Sequence, residues 1–380
     1  MTEIKKCEYD KKCSGCTLQR MSYQDQLKYK QTAVVRRLGR FCRISRIIGM
    51  ENPLHYRNKV QAAFTFKNGK TVSGVYQSAR RAVVPVDRCM LEDENADRII
   101  VTIRKLCESF RIPPMDYRSG FGFLRYVAVR LGFKTNEIMV VLVTSDGEFR
   151  FKKDFVAELL RLHPEITTIV RNISDSDKIL MMGDREEILY GNGYITEELL
   201  GLRFRISPKS FFQVNPVQTE VLYQKAIEFA NLTGVERVID AYCGTGTIGL
   251  SMAKYASEVI GVEFNRDSVA DAKINAELNG IENVRFYAAD AGKFMAELAA
   301  ENEKIDVVVC DPPRAGCSPR FLKSLISLSP KKIVYVSCNP ETLARDLYVL
   351  RNAEYKVKRI QPVDMFPFTE HVETVVELVK

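Results

Sequence analysis

From about Val238 onward, short apolar runs alternate with segments long enough to be helices, and no other feature constrains the fold as tightly. Arg237-Val238-Ile239-Asp240-Ala241-Tyr242 is β-rich and breaks at Cys243-Gly244-Thr245-Gly246. Further strand candidates lie at 258–262, 284–289, 305–310 and 333–337, with helical stretches between them, such as 267–278 and 340–350. Apolar strands separated by helices predict a mostly parallel sheet covered on both faces. Such sheets bind ligands beyond the carboxyl ends of their strands. Here those ends carry Tyr242, Glu263, Asp290, Asp311 and Cys338.

The first 200 residues read differently. Residues 22–38 form a basic amphipathic helix in pattern. Residues 55–90, 120–145 and 165–205 alternate in short runs, as in Leu124-Arg125-Tyr126-Val127-Ala128-Val129-Arg130, which is the signature of antiparallel strands. The expected organisation is a basic, cysteine-bearing segment over 1–90 joined to a β-rich central region over 91–202, followed by an α/β unit over 203–380. Charge follows the same division. Residues 1–91 hold 19 Lys and Arg against 6 Asp and Glu, a net +13 in a chain of net +8, so the remainder carries −5. A basic front on a mildly acidic body fits a polyanion partner, although a solvated lysine-rich surface gives the same count. No apolar run approaches the roughly 20 residues of a membrane helix. The residues from Met1 to Cys7 lack the apolar core of a secretory signal. Ten cysteines without such a signal point to a reducing, cytoplasmic setting. A monomer is expected.

The turn Asp240–Gly246, with Gly249 three residues further on, matches the spacing of a dinucleotide fingerprint. Glu263 could accept both hydroxyls of a ribose, and Asp290 could meet an adenine amino group. NAD and S-adenosylmethionine satisfy these features equally. The fourth strand separates them: it runs into Asp311-Pro312-Pro313-Arg314, and a D/N-P-P loop at this point resembles methyltransferases acting on nucleobases. Two prolines fix φ and stiffen the turn beside a donated methyl.

Tyr335-Val336-Ser337-Cys338-Asn339-Pro340 sets a thiol at the tip of the fifth strand, before a helix starting near Pro340. The helix dipole there is expected to lower the thiol pKa. Beside a methyl donor, a thiolate has a use. C5 of uracil is a poor nucleophile, and sulfur adding to C6 gives C5 enolate character. Loss of the C5 proton then needs a base, for which Glu370, His371 and Glu373 compete. Glu373 opens the apolar run Val375-Val376-Glu377-Leu378-Val379, where it could be fixed and partly desolvated, which raises a carboxylate's basicity, but the residues alone leave all three open. Cys42, Cys107, Cys243, Cys310 and Cys317 read as buried fillers.

With these residues in place, the chain resembles the bacterial uracil-5 RNA methyltransferases, above all the iron–sulfur members that modify 23S ribosomal RNA. The likeness is carried in order by Tyr56-Arg57-Asn58-Lys59, Phe211-Phe212-Gln213-Val214-Asn215-Pro216, Asp240–Gly246, Asp311-Pro312-Pro313-Arg314-Ala315-Gly316, Ser337-Cys338-Asn339-Pro340 and residues 366–373. The resemblance implies S-adenosylmethionine contacted by Gln213, Tyr242, Glu263 and Asp311, with Asp290 as a further contact. It also implies Cys338 as nucleophile and Glu373 as proton acceptor. The implied architecture is a class I (Rossmann-like) methyltransferase domain with a seven-stranded sheet behind a smaller β-rich RNA-binding domain. Many members begin with an additional β-barrel module, for which there is no room before Cys7, and some carry histidine where this chain has Phe368.

Cys7, Cys13, Cys16 and Cys89 could hold tetrahedral zinc or an iron–sulfur cluster, and spacing alone slightly favours zinc, the more frequent of the two. The resemblance implies [4Fe-4S], whose expected job is to pin a basic, loop-rich segment. His55 and His163 read as structural or surface residues. Lys5, Lys6, Lys11, Lys12, Arg36, Arg37, Arg40, Arg43 and Arg46 are candidate phosphate contacts, and Arg57, Lys59 and Arg125 are further candidates for RNA. Because C5 and C6 must both be reached, the expected target is an unpaired loop uridine, and the resemblance implies that it lies in 23S ribosomal RNA. A tRNA uracil-5-methyltransferase, an exocyclic-amine methyltransferase and a non-catalytic RNA-binding assembly factor are the competing readings.

Overall fold

The computed structural model describes residues 7–117, 119–176 and 180–380. Lys5 and Lys6 lie outside the described residues. The chain opens with α1 (Tyr23–Leu38), capped by Ser22, whose hydroxyl accepts from the Asp25 N–H. Gln26, Lys30, Val34 and Leu38 recur every four residues and form its buried stripe. Then follow β1 (Lys59–Lys67), β2 (Lys70–Gln77), β3 (Ala82–Pro85), α2 (Glu94–Ser109), β4 (Leu124–Leu131), β5 (Ile138–Thr144), α3 (Lys152–Leu162), β6 (Ile166–Ile173) and β7 (Arg185–Tyr190). These strands make one sheet in the order β3-β2-β1-β4-β5-β6-β7. Its pairings are antiparallel except β5–β6, which α3 joins as a parallel crossover. That parallel pair departs from the purely antiparallel expectation.

β4 and β5 are buried along their whole length because each face has its own core. Val127, Val129, Val140 and Leu142 pack with Ile99, Ile103, Phe155 and Leu159 of α2 and α3. Tyr126, Ala128, Met139 and Val141 join a second core shared with the C-terminal half of the chain. A short hairpin, β8 (Ile195–Leu199) and β9 (Leu202–Ile206), supplies Ile195 and Phe204 to that shared core.

The C-terminal half runs α4 (Pro216–Ala230), β10 (Arg237–Ala241), α5 (Thr247–Ala253), β11 (Glu258–Glu263), α6 (Arg266–Leu278), β12 (Val284–Ala288), α7 (Ala291–Ala300), β13 (Val307–Cys310), α8 (Pro319–Leu328), β14 (Lys332–Ser337), α9 (Pro340–Asn352), β15 (Lys356–Val363) and β16 (Glu373–Val379). The sheet order is β12-β11-β10-β13-β14-β16-β15, parallel except where β16 runs antiparallel to β14 and β15. Alternate residues feed opposite cores: Val307, Val309, Val334 and Val336 on one face, Val308, Cys310, Ile333 and Tyr335 on the other. Strands buried on both faces must be apolar throughout, hence the continuous runs in the sequence. The order reverses at β10, which has β11 on one side and β13 on the other. A crevice therefore opens beyond their carboxyl ends.

The N-terminal segment is strapped to this half. Val34 and Leu38 of α1 enter the core beside Leu343 and Leu347 of α9. Residues around Ile44 and Ile48 bridge in parallel to Ile360 and Val363 of β15. Among the described residues no helix is long and apolar enough to cross a membrane.

Candidate active site

Strand register assembles the site. Ala241 pairs with both Val262 and Cys310, so the residues that follow, Tyr242, Glu263 and Asp311, end three neighbouring strands side by side. On the other side of the sheet Ser337 pairs with Thr374 in antiparallel register. One step further sets Cys338 opposite Glu373. The two chemically important side chains are thus brought together by β-pairing, 35 positions apart in the chain.

The turn after β10 adopts left-handed conformations at Tyr242 (φ 63°), Gly244 (φ 55°) and Gly246 (φ 83°). A Cβ on Gly244 would meet nothing within 4 Å, whereas one on Gly246 would lie 2.8 Å from Phe286 Cζ. The first glycine keeps the crevice open and the second lets the turn close onto β12. Gly249 faces inward: its N–H donates to Asp240 Oδ2 at 2.7 Å. Glu263 is held at both oxygens, accepting from Gly244 N–H (3.2 Å) and Asn265 N–H (2.8 Å). Tyr242 stacks on Phe321, with ring centroids 5.0 Å apart. Gln213 lies on the segment leading to α4. Its side chain reaches the Tyr223 hydroxyl, which also bonds Thr247 Oγ1 at 3.1 Å and feels the charge of Asp311. Asp290 is exposed and caps α7, one oxygen accepting from Lys293 N–H at 2.8 Å.

The electrostatics are dominated by carboxylates in a poorly hydrated place. Burial pushes Asp311 up to about 7. Burial and the charge of Asp311 push Glu373 well above the usual carboxylate range, against the pull of Arg314. Cys338 is raised to about 11 by desolvation first, then by Glu373 and Asp311, with Arg314 opposing. The shift runs opposite to the lowering expected at the start of α9, because lost hydration and then the carboxylates of Glu373 and Asp311 favour the neutral thiol. Arg314 also donates to His371 Nε2 at 2.8 Å, which fixes that ring as neutral. Burial and Arg314 lower the His371 pKa accordingly. Glu370 is exposed, and its N–H donates to Thr17 Oγ1. Of the three base candidates, only Glu373 is a buried carboxylate beside the thiol.

The crevice suits S-adenosylmethionine. Glu263 offers an oriented carboxylate, Gly244 leaves room beside it, and the raised pKa of Asp311 marks a place where a positively charged ligand is welcome. Two of its residues carried little sequence signal. Tyr223 sits at helical core spacing like any buried aromatic. Arg314 was visible only as the residue after Asp311-Pro312-Pro313.

Several expectations meet a different geometry. Cys7, Cys13, Cys16 and Cys89 share one neighbourhood. Cys7 and Cys89 line a common cavity of about 990 Å³. Cys16 and Cys89 pack around Tyr56, Leu91 and Phe368. Yet among the described residues no three His, Cys, Asp or Glu side chains stand close enough to hold a metal ion. Burial raises Cys16 to about 11 and raises Cys89 further. The donor set suits four-thiolate ligation chemically, but it does not form a closed site. Arg125 is buried and donates to the carbonyls of Ser174 and Ser176, which removes it from RNA binding. Arg57 packs over Tyr56 and faces Glu92 and Cys89. Lys59 is lowered to about 8 by burial and by Arg130. His163 bonds Thr102 and Glu165, and His55 bonds the Glu92 carbonyl, both structural roles. Cys107, Cys243, Cys310 and Cys317 are buried as expected, and Cys42 is half-buried.

The parallel sheet with its reversed last strand and the crevice at its switch point define a mixed α/β methyltransferase dependent on S-adenosylmethionine. Residues 22–380 match the family model for tRNA (Uracil-5-)-methyltransferase, and the chain belongs to that family. It is similar to the Pyrococcus abyssi tRNA (uracil-54, C5)-methyltransferase crystallised with S-adenosyl-L-homocysteine. The TM-score is 0.82 and the identity 32%, covering 96% of this chain and 86% of that one. An uncharacterized RNA methyltransferase of Halalkalibacterium halodurans is 44% identical over 377 residues, 98% of this chain and 82% of the relative. One from Listeria monocytogenes is 42% identical over 376 residues, 98% of this chain and 83% of the relative.

Proposed function

We propose that this enzyme methylates C5 of an unpaired uridine in 23S ribosomal RNA through a covalent cysteine adduct. The observation that carries the mechanism is Cys338 opposite Glu373, in a pocket where both groups are desolvated. S-adenosylmethionine, when bound by Gln213, Tyr242, Glu263 and Asp311, with Asp290 at its edge, supplies an electrophilic methyl and a positive charge. That charge and Arg314 both favour the thiolate of Cys338. The thiolate adds to C6, and the C5=C6 electron pair moves toward O4, so that C5 becomes the nucleophile. Once C5 carries the methyl, Glu373 accepts its remaining proton. The C5–H electron pair re-forms C5=C6 as the S–C6 bond breaks and Cys338 recovers its electrons. A raised carboxylate pKa serves this last step, since a stronger base is needed for a carbon acid.

The same reading gives Cys7, Cys13, Cys16 and Cys89 a [4Fe-4S] cluster that orders the basic segment before α1, with zinc as the other metal of matching donor chemistry. Anaerobically purified protein should be brown and contain iron; one zinc per colourless chain would replace the cluster. The tRNA reading is favoured by the Pyrococcus neighbour, which acts on uracil-54 of tRNA. Mapping 5-methyluridine in ribosomal and transfer RNA from cells lacking this protein decides between them. Loss from 23S ribosomal RNA alone supports the proposal, and loss from tRNA alone overturns its substrate.

A further inference from the structure

Cys338 stands on the floor of a cavity of about 890 Å³ whose opposite wall is α1, contributing Lys28, Tyr29, Arg36 and Arg37. Lys28, Tyr29 and Arg36 share the helix face turned away from the buried stripe of Lys30, Val34 and Leu38, and Arg37 stands at the edge of that face, two turns on from Lys30. Arg36 has no acidic partner among the described residues. Arg37 reaches across the cavity mouth to Glu341 in the first turn of α9. Tyr29 is 45% exposed, a large ring left in solvent beside a reactive thiol. The basic strip continues past the helix, where Arg40 and Arg351 both lie over Phe41, at 5.0 and 5.6 Å.

The wall is rigid. Lys30 Nζ, fully buried, bonds Asp364 Oδ1 (2.5 Å) and the Phe366 carbonyl (3.0 Å). Tyr23 holds the other Asp364 oxygen at 2.9 Å. The Gln26 side-chain oxygen accepts from Phe368 N–H at 2.7 Å. The inner face of α1 thus grips the loop that leads into Glu373, while its outer face offers cations and a ring to the space above Cys338. A cationic face with one aromatic platform is the chemistry that holds a single RNA strand: phosphates on the guanidinium groups, a base on the ring.

We propose that the strand carrying the target uridine lies in this groove between α1 and the start of α9, with phosphates on Arg36 and Arg37 and a neighbouring base stacked on Tyr29. This rests on the uridine methyltransferase reading. Glu341 occupies Arg37 until a phosphate displaces it.

The test is equilibrium binding of an RNA hairpin with an unpaired uridine-containing loop, measured across a salt series. Loss of two phosphate contacts in Arg36→Ala/Arg37→Ala should weaken binding about tenfold or more and flatten the log–log salt slope by about 1.4, at roughly 0.7 per contact on a single strand. Tyr29→Ala should weaken binding about tenfold with the slope kept, since stacking carries no counterion release. Glu341→Gln should tighten it. Lys254→Ala, at the far end of α5, should change nothing. All five positions are exposed, so unaltered melting curves exclude misfolding. Wild-type affinity and slope in the double variant overturn the groove. Adduct formation with 5-fluorouridine RNA, run in parallel, separates the two readings: an adduct with an unaffected double variant discards only the groove, while no adduct in the wild-type protein discards the function.

Discussion

Two groups of cysteines in this chain are placed in opposite ways. Cys338 and Glu373 are neighbours because β14 and β16 pair in one register, with Ser337 against Thr374 and Val336 against Val375. Sheet hydrogen bonds and two packed cores specify that register, and a slip by one residue would turn every apolar side chain of β16 to the wrong face. Cys7, Cys13, Cys16 and Cys89 have no such scaffold. Three lie in a loop before α1 and the fourth in a loop before α2, and packing around Tyr56 and Phe368 draws Cys16 and Cys89 together. A site set by backbone pairing exists whether or not its ligand is present. One set by loops has only side-chain packing to hold its members in place.

The largest contrast should come from breaking one member of each site. Glu373→Gln is expected to lower turnover by roughly 10²–10⁴-fold and to accumulate methylated enzyme–RNA adduct, seen as a slow band on denaturing gels. On the proposed cluster, Cys16→Ser should hold less iron than wild type yet still form the 5-fluorouridine adduct. Ordinary turnover in the first variant would put the base elsewhere, and no adduct in the second would mean that the two sites are not independent.

Next in size is the strap between them. Lys30→Met leaves Asp364 buried with half its partners and should destabilise the protein by about 3–5 kcal/mol, read from denaturant unfolding. A change below 1 kcal/mol would show that the Tyr23 bond alone suffices.

The pH dependence is smaller and has a defined sign. Because the Cys338 pKa is raised to about 11, only a small thiolate fraction exists at neutral pH in the free protein. That fraction grows about tenfold per unit below the pKa. Alkylation of Cys338 by iodoacetamide in the absence of S-adenosylmethionine should therefore accelerate steadily from pH 7 to 10, and Arg314→Met should slow it throughout. A plateau below pH 8 would mean that the α9 dipole prevails after all.

The smallest effect concerns stability at the active pair. Glu373→Gln removes a buried carboxylate facing Asp311 and should raise Tm by about 1–3 °C, whereas a fall would mean that Glu373 is stabilising where it stands.

Much of this was legible in the chain because its physics is local. Ser22 before an i, i+4 stripe marks α1 to within a residue, and the runs at Val307–Cys310 and Lys332–Ser337 can only be doubly covered strands. The residues at the strand ends, Tyr242, Glu263, Asp311 and Cys338, follow directly from that topology. What could not be read is non-local. Arg125 in an alternating strand looks solvent-facing until a second core covers that face and its guanidinium turns to the carbonyls of residues 174 and 176. Arg57 precedes an exposed-looking stretch but is drawn in beside Glu92. The sign of the Cys338 shift needed the position of Glu373, which lies on a distant strand.

The central claim is that sulfur at position 338 bonds to the base. Wild-type protein incubated with S-adenosylmethionine and 5-fluorouridine-containing RNA, then digested with protease and nuclease, tests it by mass spectrometry. A stable nucleotide adduct is expected on the peptide containing Cys338, absent from Cys338→Ala, because fluorine cannot leave C5 as a proton. A nucleotide mass on any other residue, or one that survives the alanine substitution, would contradict it.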